Sequence, residues 1–242
     1  MHPTEQLLAA YMDHFYGYGT YRGDWWLVGM EEGGGRSLDE VTTRLQLWDR
    51  AGREELQDVA VFAQSPPDLS KWFTPRPPLQ PTWRGVVRLI LAAEGRPTDA
   101  ETARVYQGTA LGRHGGNNCI LELLPLPSHT VGHWMYPDHF TLPDLRTRQT
   151  YVERVAPRRV AHLRQRIQEH RPKFVVFYSR SYQSWWEQVA GVAFGPEAAP
   201  GINLARQGDT VFVMTKHPTY RGIRTQYFVE AGQAIASVLS AC

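Results

Sequence analysis

Two short segments of this 242-residue chain combine glycine with side chains that can carry acid–base chemistry. Residues 29–33 read Gly-Met-Glu-Glu-Gly, and residues 217–222 read His-Pro-Thr-Tyr-Arg-Gly. A carboxylate can orient or deprotonate a water molecule, and an imidazole can donate a hydrogen bond to a leaving group. Glu31 and His217 are therefore the first candidates for catalytic residues.

Both segments follow short apolar runs that predict buried β-strands. Four such runs occur, at residues 25–30, 118–124, 173–178 and 210–215. Helical patterns lie around and between them, at residues 7–15, 37–48, 83–93, 99–108, 150–170, 181–189 and 225–239. Alternation of buried strands with helices is typical of a parallel sheet covered on both faces. We expect one α/β domain over residues 1–242, an α/β/α sandwich with a mainly parallel sheet of about four strands and a helical N-terminal extension at 1–22. Ligands of such sheets bind at the carboxyl ends of the strands, where both segments would lie.

The composition excludes several classes of protein. No apolar stretch approaches the roughly 18 residues that a membrane span needs, and the first residues lack a secretory signal pattern. The two cysteines, Cys119 and Cys242, are too few for a disulfide framework or an iron–sulfur cluster. The net charge of +2 does not by itself indicate nucleic-acid binding. We expect a cytoplasmic protein without a cofactor and without membrane association.

A histidine-rich loop is the main competing signal. His129, His133 and His139 are spaced four and six residues apart, which could suggest zinc. Beyond Asp138 no fourth ligand is evident, and no helical pattern directs the rings toward one point. We therefore predict no metal site, and a small-molecule hydrolase or transferase stays the least favoured alternative.

The two segments resemble two motifs of the uracil-DNA glycosylase superfamily. The first is similar to a strand ending in Gly-x-(Asp/Asn)-Pro-(Gly/Tyr), whose third position, here Glu31, positions or activates the attacking water. Glu32 stands where proline is usual. The second resembles the His-Pro-Ser motif, in which histidine meets the flipped base and the next residues form a loop that enters the minor groove. The match extends through Tyr220-Arg221-Gly222 to an aromatic at Phe228. The chain does not match the iron–sulfur branch, which needs four cysteines.

This resemblance implies a monofunctional DNA glycosylase of base-excision repair that flips and hydrolytically excises a damaged or deaminated base, uracil foremost. It implies DNA as the partner, no cofactor, and action as a monomer, in the nucleoid if the cell is bacterial. Glu31 and His217 would be catalytic. The base would contact Gly29, Met30, Phe73 and Asn118, with Trp72 as an alternative stacking partner. DNA would contact Lys216, Thr219, Tyr220, Arg221, Gly222 and Arg224, with Tyr220 or Ile223 as the wedge.

The Glu31–Glu32 pair leaves a second interpretation open. Two adjacent carboxylates repel phosphate and could misplace the water molecule. The principal alternative is thus a member of the same superfamily that binds DNA or a modified base without excising it.

Overall fold

The computed structural model describes residues 3–64, 70–130 and 132–240. Its strands are β1 (Gly17–Gly19), β2 (Trp25–Glu31), β3 (Leu56–Gln57), β4 (Asn118–Leu124), β5 (Phe174–Tyr178), β6 (Glu197–Ala199), β7 (Ile202–Gln207) and β8 (Thr210–Thr215). Its α-helices are α1 (Pro3–His14), α2 (Leu38–Arg50), α3 (Val59–Phe62), α4 (Trp83–Ala93), α5 (Ala100–Thr109), α6 (Arg148–His170), α7 (Gln183–Ala190) and α8 (Thr225–Ser240). Among these residues, no helix combines the length and apolarity that crossing a bilayer requires.

The described strands form a single mixed sheet in the order β3-β1-β4-β2-β5-β8-β7-β6. The four central strands, β4, β2, β5 and β8, run parallel, and they are the four that the apolar runs predict. The α/β class is confirmed. The expectation of about four strands is wrong, because eight strands are described.

The additional strands lie at the two edges of the sheet and lack a long apolar pattern. Strands β6 and β7 form an antiparallel hairpin against β8. Strand β1, inside the segment expected to be a helical extension, pairs with β4 and β3. Every residue of β4, β5 and β8 is buried, so both faces of the central sheet are covered.

Helix α2 shows how local sequence sets an element's start. The Ser37 hydroxyl accepts a hydrogen bond from the Glu40 backbone N–H at 3.2 Å and caps the helix. The Glu40 carboxylate turns back to accept the backbone N–H groups of Gly35 and Arg36, each at 3.0 Å. This arrangement secures the glycine-rich loop that leads from β2 into the helix.

The Arg159 side chain of α6 is completely buried and joins three parts of the fold. Its guanidinium donates to the carbonyl oxygens of Met12 and Phe15, around the end of α1, and to those of Glu122 and Leu123 in β4, at 2.6 to 3.1 Å. The Tyr16 ring lies 3.7 Å from the guanidinium carbon. This side chain therefore links the end of helix α1 to strand β4 of the central sheet.

Replacement of Arg159 by Met should destabilise the protein strongly, because several buried carbonyl groups would lose their donor. We expect a loss of about 3 kcal/mol or more, which lowers the melting temperature by roughly 6 to 12 °C for a chain of this size. Thermal unfolding followed by circular dichroism measures it.

Arg158→Met is the matched control, since Arg158 is exposed and pairs with Asp13 at 2.9 Å on the surface. Its cost should stay within about 1 kcal/mol. Equal shifts for the two variants would contradict a central role for Arg159.

Candidate functional site

A cavity of about 790 Å³ opens at the carboxyl ends of the central parallel strands. Its lining includes Glu31 after β2, Glu122 of β4, Tyr178 of β5 and His217 after β8. Because these strands are parallel, residues from distant parts of the sequence meet at this edge. The structure thus brings the two predicted catalytic side chains to the same cavity.

Glu31 is mostly buried and forms an ion pair with Arg148, the first residue of α6. Arg148 donates to the Oε1 atom, and Oε2 has no hydrogen-bond partner among the described residues. Burial raises the pKa of the Glu31 carboxyl, and the charge of Arg148 opposes that rise. One carboxylate oxygen therefore has no hydrogen-bond partner in the described structure, at a residue that lines the cavity.

Glu32 has a different set of partners. Arg44 of α2 approaches it at 2.8 Å, and the Tyr18 hydroxyl donates to both carboxylate oxygens at 3.1 Å. The Arg44 side chain is only 3% exposed and also contacts the carbonyl of Gly33 at 3.4 Å. Each of the two adjacent glutamates thus has its own arginine, so the pair adds less negative charge than its sequence suggests.

Glu122 is a site residue that the sequence interpretation missed. It lies beside Gly29 across the β2–β4 pairing, and the Tyr178 hydroxyl donates to its Oε1 atom at 3.0 Å. Its Oε2 atom is buried without a hydrogen-bond partner in the described structure. Burial, and then the nearby Glu32, raises the pKa of Glu122 well above its ordinary value. The signal was a single charged residue inside an apolar strand, which is seldom found without a function or a partner.

Gly29 leaves the space that Glu122 and Tyr178 occupy. A Cβ atom at Gly29 would lie 2.4 Å from Glu122 Oε2 and 2.5 Å from the Tyr178 hydroxyl oxygen. The missing side chain lets the two groups meet above β2. Gly29, predicted to contact the base, does not belong to the lining of the cavity, whereas the adjacent Met30 is buried and lines it.

His217 has a defined hydrogen-bonding state. The backbone N–H of Thr219 donates to its Nδ1 atom at 3.2 Å, so Nδ1 is the acceptor. Burial lowers the pKa of His217 and favours the neutral ring, which then carries its proton on Nε2. The ring lies 5.8 Å from that of Tyr178. His217 can therefore offer an uncharged N–H donor to a molecule in the cavity.

The other predicted base contacts divide into two groups. Trp72 lines the cavity, whereas Phe73 packs against the Trp83 ring with centroids 5.8 Å apart. Asn118 lies at the amino end of β4, far along the strand from Glu122. There its side-chain oxygen accepts the Gly112 N–H at 2.7 Å, and its side-chain nitrogen donates to the Ala110 carbonyl at 3.0 Å. Asn118 is fully buried and holds a loop, so the structure does not bring it to the cavity.

The predicted DNA-contacting residues follow β8 in a pair of turns. Thr219 lines the cavity, and Tyr220 projects with 63% of its surface exposed. Arg221 and Arg224 are exposed, while Gly222 takes a positive φ of 82° at the second turn. Lys216 instead lies 5.7 Å from the Tyr227 ring, and Ile223 packs against the core. Tyr220 is thus the projecting side chain of this loop.

No group of three or more His, Cys, Asp or Glu side chains in the described ranges is arranged to hold a metal ion. His129 lines the cavity, while His133 and His139 do not belong to its lining. No protein-family model matches the sequence, and no curated protein matches it. The geometry of this cavity is therefore the main indication of function.

Gly29→Ala should distort the site, since the new Cβ atom would displace Glu122 and Tyr178. We expect a destabilisation of about 1 to 3 kcal/mol from overpacking, measured by urea unfolding. Gly33→Ala is the control: no atom lies within 4 Å of an added Cβ there. Its effect should stay near 0.5 kcal/mol or less, as is roughly usual for open positions. Equal effects at both positions would contradict the close approach at Gly29.

Glu122→Gln should change how stability depends on pH. The raised pKa means that the folded protein keeps a proton that the unfolded chain releases near its ordinary value of about 4.3. The contribution of Glu122 to the free energy of unfolding therefore falls by about 1.4 kcal/mol per pH unit from that value up to its folded-state pKa. Glutamine carries no such proton, so the variant should gain stability over the wild type as pH rises. Melting temperatures between pH 4 and 9 measure the difference, and parallel curves would refute it.

Proposed function

We propose that this protein is a DNA glycosylase that flips a base out of DNA and hydrolyses its N-glycosidic bond. One observation carries the proposal: Glu31 and His217, from loops nearly 190 residues apart, line the same cavity at the carboxyl ends of parallel strands. The resemblance of both loops to motifs of the uracil-DNA glycosylase superfamily supports the same function. DNA would be the partner, bound by a monomer.

The two side chains suit the two halves of the reaction. The sugar becomes cationic in the transition state, and a carboxylate beside it stabilises that charge and orients the water. Glu31 offers such a carboxylate, because Arg148 holds one oxygen and leaves the other unpartnered among the described residues. His217 would donate its Nε2–H to the departing base. Removal of one such donor typically lowers the rate by about 100- to 1000-fold.

The surface around the cavity suits a nucleic-acid backbone. Tyr220 projects beside the cavity and would fill the gap that a flipped base leaves in the stack. Arg221 and Arg224 are exposed on the same loop, and Arg36 and Lys71 are exposed at the cavity itself. Each phosphate that such residues neutralise steepens the salt dependence of binding by about 0.9 on a log–log scale.

A second candidate is binding of DNA or a modified base without excision. The ion pair between Glu31 and Arg148 favours it, because a carboxylate already neutralised by an arginine is a weaker base and stabilises a cationic sugar less. The two functions differ in what Glu31 controls. In the enzyme it controls turnover, and in the binding protein it has little effect.

A base-release assay tests the proposal. Single- and double-stranded oligonucleotides that contain uracil, hypoxanthine, xanthine, or an oxidised or alkylated base are incubated with the protein and then treated with alkali. Wild type should cleave at least one of them. Glu31→Gln and His217→Ala should each reduce cleavage by about 100-fold or more, with DNA binding retained.

Glu153→Gln is the matched control, since Glu153 is exposed on α6 and contacts Gln149. It should cleave like wild type. Intact DNA binding with no cleavage of any substrate would exclude the enzyme and favour the binding protein. Absence of both cleavage and DNA binding would exclude both functions.

A further inference from the structure

The interior of the cavity is lined by carboxyl groups and aromatic rings. The carboxyl groups are Glu31, Glu32, Glu40 and Glu122, and the aromatic residues are Tyr18, Trp72, Trp83, Tyr178 and Tyr182. Carboxylates attract cations, and the faces of aromatic rings also attract them. A lining made of both is suited to a positively charged, flat ligand.

The carboxyl groups are not equally neutralised. Glu31 pairs with Arg148, while Glu32 and Glu40 share Arg44. The Glu122 carboxyl group forms no ion pair within the described parts of the chain. The one side-chain hydrogen bond that it accepts there comes from the neutral Tyr178 hydroxyl. Glu122 is 9% exposed, and its Oε2 atom has no protein partner in those parts. A ligand that reaches this atom would supply the partner that the described protein residues do not.

The positive side chains of the cavity divide into two groups. Arg44 is buried and already engaged by Glu32, whereas Arg36 and Lys71 are exposed. The exposed cationic groups lie at the exterior, where phosphates would pass, and the carboxyl groups lie inside, where a base would enter. A base that leaves as an anion, as uracil does, would develop its charge among these carboxyl groups. A base that enters as a cation and leaves neutral avoids that repulsion.

We propose that the cavity selects a positively charged, N-alkylated base, whose charge is met by Glu122 and the surrounding aromatic rings. This inference rests on the proposed function, because it names the substrate class of the same site. Glu122 would be the residue that determines this specificity, and Glu31 would keep its role at the sugar.

The corresponding reaction balances without any further reactant. The bond between C1′ of the deoxyribose and the base nitrogen breaks, and its electron pair neutralises the positive ring. The oxygen of a water molecule bonds to C1′, and the proton that the water loses passes to Glu31 and then to solvent. A neutral leaving base need not take up a proton, and the neutral His217 ring would offer it a hydrogen bond only.

The charge state of Glu122 gives the binding a specific pH dependence. Glu31, Glu32, Tyr178 and Arg159 are the groups whose charges or hydrogen bonds act on it, and burial keeps its pKa high. In the empty cavity burial favours the protonated form of Glu122, whereas a bound cation favours the ionised form. Affinity for a cation of fixed charge should rise with pH until Glu122 ionises by itself, whereas affinity for a neutral analogue should not.

Two measurements test the inference together. The first is release of 7-methylguanine and 3-methyladenine from methylated duplex DNA, compared with release of uracil from a matched duplex after subtraction of spontaneous loss. The second is binding of 1-methylnicotinamide, a flat aromatic cation, compared with neutral nicotinamide, by calorimetry at pH 6 and pH 8. We expect the methylated bases to be released at least tenfold faster than uracil, and the cation to bind at least tenfold more tightly than its neutral analogue.

Glu122→Gln should remove both preferences, and Glu153→Gln should keep them. Thermal unfolding verifies that each variant is folded. If Glu122→Gln does not fold, the comparison of cationic with neutral ligands on the wild type still decides whether the cavity prefers a cation. Faster release of uracil would overturn the inference and leave the proposed function standing. A Glu122-dependent preference for the cation without release of any base would uphold the ligand class and exclude the glycosylase. Absence of both release and preference would overturn the inference and the proposed function together.

Discussion

A carboxyl group cannot be buried without partners at low cost, and this constraint organises the carboxyl edge of the sheet. Three glutamates lie at this edge, Glu31 at the end of β2, Glu32 directly after it and Glu122 in β4, and each is met by a different element. Helix α6 supplies Arg148 to Glu31, and helix α2 supplies Arg44 to Glu32. Strand β5 supplies only a neutral hydroxyl to Glu122. The positions of two helices and a strand are therefore tied to the same small region, and of these three glutamates only Glu122 has no arginine partner in the described structure.

Glu32 stands where the motif of the proposed glycosylase family has proline, and the structure shows what holds the loop in its place. A proline at this position would restrict the backbone through its ring. Here side-chain contacts hold the loop, because Arg44 and Tyr18 fix the Glu32 carboxylate while Glu40 accepts two backbone N–H groups beyond it. The loop is thus held from both ends, and Glu31 keeps its orientation toward the cavity without proline. The same contacts remove much of the repulsion that two adjacent glutamates would exert on DNA.

The sequence predicted the elements whose signals are local. The central strands are continuous apolar runs, and Ser37 begins α2 as its position before Glu40 indicates. The edge strands escaped prediction because segments of two or three residues, such as Gly17–Gly19, carry no period and are defined by their neighbours. The residues of the site also differ in whether a local sequence signal marks them. Glu31 and His217 stand beside glycine and proline at strand ends, whereas the role of Glu122 depends on its register with Gly29, which no local pattern encodes.

The contrast between Asn118 and Glu122 shows what decides a role on a strand. Both are polar residues of β4, and both are buried. The Asn118 side chain hydrogen-bonds with Tyr106 of α5 and with Ala110 and Gly112 of the loop that follows this helix, so its burial stabilises the fold. Glu122 lies toward the carboxyl end and keeps one oxygen without a protein partner in the described structure. Leaving such a group unsatisfied costs stability, and a ligand that satisfies it recovers this free energy on binding. The position of a polar residue along a parallel strand, more than its chemical type, therefore separates a structural group from one that can recognise a ligand.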